Sequence, residues 1–137
     1  MAALKKIEVV AGVITAGAEL PCECGVGLRY FATQRGYGDF KGFWEFPGGK
    51  MEAGETREEA LVRELKEELA VNVDVGDFIC TVEHDYPKFH LTMHCFYCTI
   101  KTGTPTLLEH EAARWLTYEE LSALQWCPAD VKVVEAL

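Results

Sequence analysis

Residues 49–71 read GKMEAGETREEALVRELKEELAV, and this stretch decides the fold of the 137-residue chain. Thr56, followed three residues later by Glu59, forms a capping box: hydroxyl and carboxylate satisfy amides that have no partner inside a helix start. From there to Leu69 no Gly or Pro intervenes, and the good helix formers Leu, Ala, Glu, Arg and Lys dominate. A helix is therefore predicted from this cap to Leu69. On a wheel of about 100° per residue with Ala60 at zero, Leu61, Val62, Leu65 and Leu69 fall between about 100° and 200°, the face to be buried. Glu64, Glu67 and Glu68 fall at about 40°, −20° and 80°, one arc beside that face.

The clustering has a cost. Like charges at these spacings destabilise an isolated helix by roughly 0.2–0.5 kcal/mol per pair, and the helix dipole disfavours Glu67 and Glu68 in the last turn. Composition alone would make this a solvated acidic face. Its place beside the core face, not opposite it, points instead to a metal site, and hard oxygen donors at this density suit Mg²⁺ or Mn²⁺. Just upstream, Pro47-Gly48-Gly49-Lys50 offers backbone that a ligand can approach closely, with a cation beside it. The spacing of a Walker loop is absent.

Outward from the helix, residues 7–15 (IEVVAGVIT) and 28–34 (LRYFATQ) read as strands, separated by an irregular stretch over 16–27. A Gly-rich loop over 35–42 precedes a short extended segment at 44–46. Residues 71–82 and 90–100 read as strands, with a further short one at 112–116. Thr117 and Glu120 repeat the capping box and open a short helix through Leu124, and Pro128 suits the first turn of a terminal helix. Strands and helices in this order predict one α+β domain over residues 1–137, an α/β/α sandwich around a mixed sheet.

The net charge of −9 argues against a nucleic-acid partner, and it calls for a cation between protein and any polyphosphate. No apolar run approaches the roughly 18 residues needed to span a bilayer, and no secretory leader is evident, so a cytoplasmic protein with free thiols is expected. Cys22 and Cys24 form a C-x-C pair that lacks the second half of a zinc site.

The same residues carry a resemblance. Gly49, Glu55, Arg63, Glu64, Leu65, Glu67, Glu68 and Val71 fall in register with the Nudix box, a glycine, five residues, a glutamate, seven residues, then R-E-hydrophobic-x-E-E-x-G-hydrophobic. Ala70 stands where the family usually has glycine, which predicts strain in a left-handed turn at the helix end. The resemblance implies Glu67 and Glu68 as metal ligands, and Glu64 as a ligand or as the base that activates water. Arg63 would orient the carboxylates, and the Gly48 carbonyl would complete the ligand set.

Trp44-Glu45-Phe46-Pro47-Gly48-Gly49-Lys50 resembles the lead-in of the MutT-like branch, whose members hydrolyse nucleoside triphosphates. By that resemblance Glu109 is a further metal ligand, Arg35 contacts phosphate or sugar, and Asp130 reads the base edge. Lys50 and Phe89 join them as substrate-binding candidates. Phe89 stands where guanine-oxidation specialists often carry Arg, so the pattern is closer to relatives acting on cytidine and modified pyrimidine triphosphates, which also accept oxidised guanine nucleotides. An ionised Asp130 only accepts hydrogen bonds; protonated, it also donates. Two other readings stay open: a different diphosphate-linked substrate (ADP-ribose, a dinucleoside polyphosphate, a nucleotide sugar), or a binding module without turnover. The oligomeric state is not legible.

Overall fold

The computed structural model describes residues 5–16, 28–108 and 112–137. A central strand β1 (Lys5–Ala16) is flanked by β2 (Arg29–Gln34) on one side and by β6 (Phe89–Thr102) on the other. The sheet order is β3-β2-β1-β6-β5, with β3 spanning Trp44–Glu45 and β5 spanning Asn72–Tyr86. The β1–β6 pairing is parallel, while β1–β2, β2–β3 and β5–β6 are antiparallel, so the sheet is mixed as expected. Two short strands complete it: β4 (Gly48–Lys50) pairs with β1, and β7 (Ala112–Leu116) pairs with β2.

Helix α1 (Arg57–Leu69) covers one face. Thr56 and Glu59 form both bonds of the capping box, as the sequence predicts. Ala60, Leu61, Leu65 and Leu69 are buried against Val10, Ile14, Phe31, Val73, Phe96 and Cys98. Burying each of the three leucines contributes roughly 1.5–3 kcal/mol, well above the electrostatic cost of the acidic arc. Val62 departs from the wheel: it is exposed at the rim of the buried face, because the helix lies on the sheet along the line Leu61–Leu65–Leu69. The opposite face is covered by α2 (Tyr118–Leu121) and α3 (Pro128–Ala136) around Val13, Phe46, Met93, Leu116 and Val133. Three layers result, the α/β/α sandwich.

The expected elements are present, with shifted ends. β5 and β6 are longer than their sequence runs and form a hairpin turning at Pro87-Lys88, with register breaks between Val75 and Cys80. β4 is an element that side-chain patterning does not signal. Gly48-Gly49-Lys50 reads as a turn, yet it pairs along Val9–Ala11, close enough that a Cβ on Gly48 would strike the Val10 carbonyl oxygen. The stretch holding Cys22 and Cys24 lies outside the described residues. Among the described residues, no helix is long and apolar enough to cross a membrane.

Candidate active site

Arg63 organises the acidic end of α1. Its Nε and Nη2 grip the Glu55 carboxylate at 2.7 and 2.9 Å, while Nη1 reaches Glu64 at 2.9 Å and Glu67 at 3.3 Å. Nη2 also donates to the Lys50 carbonyl at 3.0 Å, which ties the helix to β4. The bond from Arg63, aided by the Glu52 backbone N–H, holds Glu55 down at about 2, so it stays ionised and anchors the guanidinium. Glu64 lies against Gly49, where any Cβ would collide with its carboxylate. A side chain at position 49 would have to displace the Glu64 carboxylate from its place beside Arg63.

The helix then ends as the Ala70 substitution predicts. Ala70 adopts φ 57° and ψ 36°, and among the described residues no other non-glycine has a positive φ. The last carbonyls of α1 find partners outside it: Thr106 N–H donates to Leu69 O at 2.8 Å and Leu108 N–H to Glu68 O at 3.3 Å. Glu109, the remaining expected ligand, lies outside the described residues.

Glu68 is buried and looks into a cleft of about 700 Å³. Gly48, Gly49, Lys50 and Glu68 line one part of that cleft, Arg35, Tyr37 and Phe40 another, and the hairpin tip Tyr86–Phe89 a third. Asp130 lies at its floor, 4% exposed, with Oδ2 accepting the Phe46 N–H at 2.9 Å. Burial pushes the Asp130 carboxyl up to about 8; the Phe46 amide opposes this, and the nearby Glu45 adds to it. At neutral pH it therefore carries a proton and can both donate and accept.

The structure thus brings Gly48, Lys50, Glu68, Arg35, Phe89 and Asp130 around one cavity. Glu64, Glu67 and Arg63 stand behind its glycine wall. Arg63 Nη1 holds Glu64 and Glu67 together, and the three helix carboxylates do not all lie within 4.8 Å of one another. Their donors, carboxylate oxygens beside backbone carbonyls, fit a hard divalent cation. Among the described residues, the groups that do lie within 4.8 Å of one another are Glu45, Cys127 and Asp130. Burial raises the Cys127 thiol well above its usual range, and Glu45 already meets Arg35 at 3.1 Å. That trio forms a polar floor to the cleft.

Sequence reasoning missed Glu45 and Cys127 as site residues; of the aromatic wall it named Phe89 but not Phe40. Tyr86 stacks on Phe89 with centroids 5.0 Å apart and meets Phe40 at 5.5 Å. The pairing of β2 with β3 that sets Glu45 near Arg35 is the signal that exposes it, and it requires knowing the hairpin register. Two tryptophans pack on aromatic neighbours: Trp126 stacks on Phe46 and Trp115 leans on Phe31. Two of the described histidines have polar partners within the sheet. His90 sits between Asp85 and Glu83, and His94 is buried between Thr81 and Glu8.

Comparison with known proteins agrees with this geometry. The NUDIX domain pattern matches residues 25–137. A CTP pyrophosphohydrolase of Escherichia coli (strain K12) is 32% identical over 133 residues, covering 97% of this chain and 92% of the relative. An 8-oxo-dGTP diphosphatase of Proteus vulgaris is 42% identical, covering 69% of this chain and 78% of its own. The crystal structure of a MutT NUDIX hydrolase from Burkholderia pseudomallei superposes with a TM-score of 0.80 over 97% of this chain and 98% of its own; at 22% identity it speaks to the fold alone. The chain belongs to the Nudix family. Within it, the protein is a hydrolase of the MutT-like kind.

Proposed function

We propose that the protein is a Mg²⁺-dependent pyrophosphohydrolase that converts nucleoside triphosphates to monophosphates and pyrophosphate. Its role would be to clear modified or surplus (d)NTPs with cytidine, modified pyrimidine or 8-oxo-guanine bases from the cytoplasm. One observation carries this reading: a single cleft of about 700 Å³ joins the glycine strand and Glu68 to the buried Asp130, within the volume usual for a small-molecule site. The names of the relatives point the same way.

Glu64, Glu67, Glu68, Glu109 and the Gly48 carbonyl would hold the metal. Bound there, Mg²⁺ would neutralise phosphate charge and lower the pKa of an attacking water. The chain's own work is positioning. Arg63 fixes the carboxylates through Glu55 and the Lys50 carbonyl. Glu64, pressed to the glycine wall, serves as a ligand or takes the proton from water. Lys50 and Arg35 place positive charge where the phosphates enter a protein of net charge −9. Tyr86, Phe89 and Phe40 offer flat apolar surface for a base, while protonated Asp130 offers a donor to a ring nitrogen or carbonyl.

The test is a panel of ordinary and oxidised (d)NTPs beside ADP-ribose, dinucleoside polyphosphates and nucleotide sugars, read as specificity constants with Mg²⁺ present. A triphosphate with a cytosine-like or oxidised guanine base should lead. A lead by any diphosphate-linked compound would transfer the assignment to that class.

A further inference from the structure

Arg35 is fixed at three points in the wall of the cleft. Its backbone closes a loop, with Arg35 N–H donating to Phe43 O and Gly42 N–H to Arg35 O, both at 2.9 Å. Its guanidinium lies 5.6 Å from the centre of the Tyr37 ring. Nη1 meets Glu45 Oε2 at 3.1 Å, in a pair only 33% and 20% exposed. Burial works against the Arg35 charge, yet the adjacent Glu45 carboxylate more than offsets it, so the guanidinium remains a cation. Nε is buried and has no hydrogen-bond partner among the described residues. Both Arg35 and Glu45 line the cleft, so the ion pair sits where a ligand would enter.

Glu45 is built on firmer ground than the loop it serves. It stands on β3 opposite Thr33 of β2, and the Thr33 hydroxyl donates to its carbonyl at 3.3 Å. Sheet pairing therefore fixes the backbone from which the Glu45 carboxylate reaches Arg35.

We propose that Glu45 is a positioning residue: it holds the Arg35 guanidinium by Nη1 so that the guanidinium stays aimed at an oxygen of the nucleotide bound in the cleft that both residues line. This rests on the nucleotide reading of the cleft. A simple structural ion pair would stabilise the fold without changing affinity. A Glu45 that touched the ligand itself would keep its effect after Arg35 was removed. Only action through Arg35 makes the two effects merge.

The experiment is a double-mutant cycle with Glu45→Gln, Arg35→Ala and the double variant, read as KM, kcat and melting temperature on the best triphosphate. Losing a charge-assisted anchor should raise KM for Glu45→Gln about tenfold with kcat within about twofold. The double variant should be no worse than Arg35→Ala alone, and Glu45→Asp should recover part of the affinity. Multiplying losses, or a lowered melting temperature with KM intact, would overturn the proposal. If Glu45→Gln does not fold, Glu45→Asp takes its place in the same cycle under the same criteria. A wild-type protein silent on every nucleotide would instead defeat the reading on which the proposal rests, whereas an active wild type with an additive cycle defeats the role of Glu45 alone.

Discussion

Glu68 and Asp130 are buried carboxyl groups lining one cleft, and their neighbours give them different work. Glu68 sits in the acidic arc beside Gly48 and Gly49, and the account makes it a metal ligand. Glu68→Gln keeps its size and hydrogen-bonding reach but not its charge. Turnover should fall by about 10²–10³ or more with the melting temperature held, the scale of losing one preorganised electrostatic group; near-normal turnover in the folded variant would remove Glu68 from the site. Asp130, by contrast, keeps its proton, its carboxyl raised from 3.8 to about 8. An acid whose folded pKa exceeds its unfolded value binds its proton more tightly in the fold. Its stabilisation is complete below about pH 4 and drains away as pH rises through about 8. Melting temperatures across this window should fall more steeply for the wild type than for Asp130→Asn, which can still accept the Phe46 N–H. Parallel curves would contradict the assigned protonation. At this scale the motif makes Arg63, Glu64, Glu67 and Glu68 legible from sequence, and Arg35 and Asp130 come by resemblance. Glu45 is not legible, because its partner is chosen by strand pairing.

The elements divide along the same line. α1 is legible because its signals are local: a capping box, an unbroken run of helix formers and a leucine stripe, all realised. The misplaced Val62 shows the limit, since the wheel gives a face but not where the sheet stops covering it. β4 is invisible because glycines carry no side-chain pattern, and its pairing with β1 becomes evident only in three dimensions. The helix end carries its own prediction. Ala70 at φ 57° carries a left-handed cost that glycine lacks, about 1 kcal/mol. Ala70→Gly should therefore raise the unfolding free energy in urea by about that amount, with kcat unchanged because the residue touches no carboxylate. A destabilised variant would mean that the Ala70 methyl packs more favourably than its backbone is strained.

Over the whole molecule, the sheet brings the chemistry together. α1 reaches the cleft through the β4 edge, Asp130 from the first turn of α3, Arg35 from the loop after β2, and the aromatic wall from the β5–β6 hairpin. Residues as far apart in sequence as Phe46 and Asp130 meet at 2.9 Å. Such convergence is a property of topology, which is why the reaction class was readable from one contiguous motif, while the pocket residues Arg35, Phe89 and Asp130 came only by resemblance and Glu45 not at all. An acidic protein of net charge −9 that handles polyphosphate needs a cation between the two, and the central claim stands on that need. The most direct measurement follows the products from the best triphosphate with Mg²⁺ and after chelation. Monophosphate and pyrophosphate should appear in equal amounts with Mg²⁺ and essentially none without it; diphosphate and orthophosphate, or a rate that survives chelation, would overturn the assignment as a metal-dependent pyrophosphohydrolase.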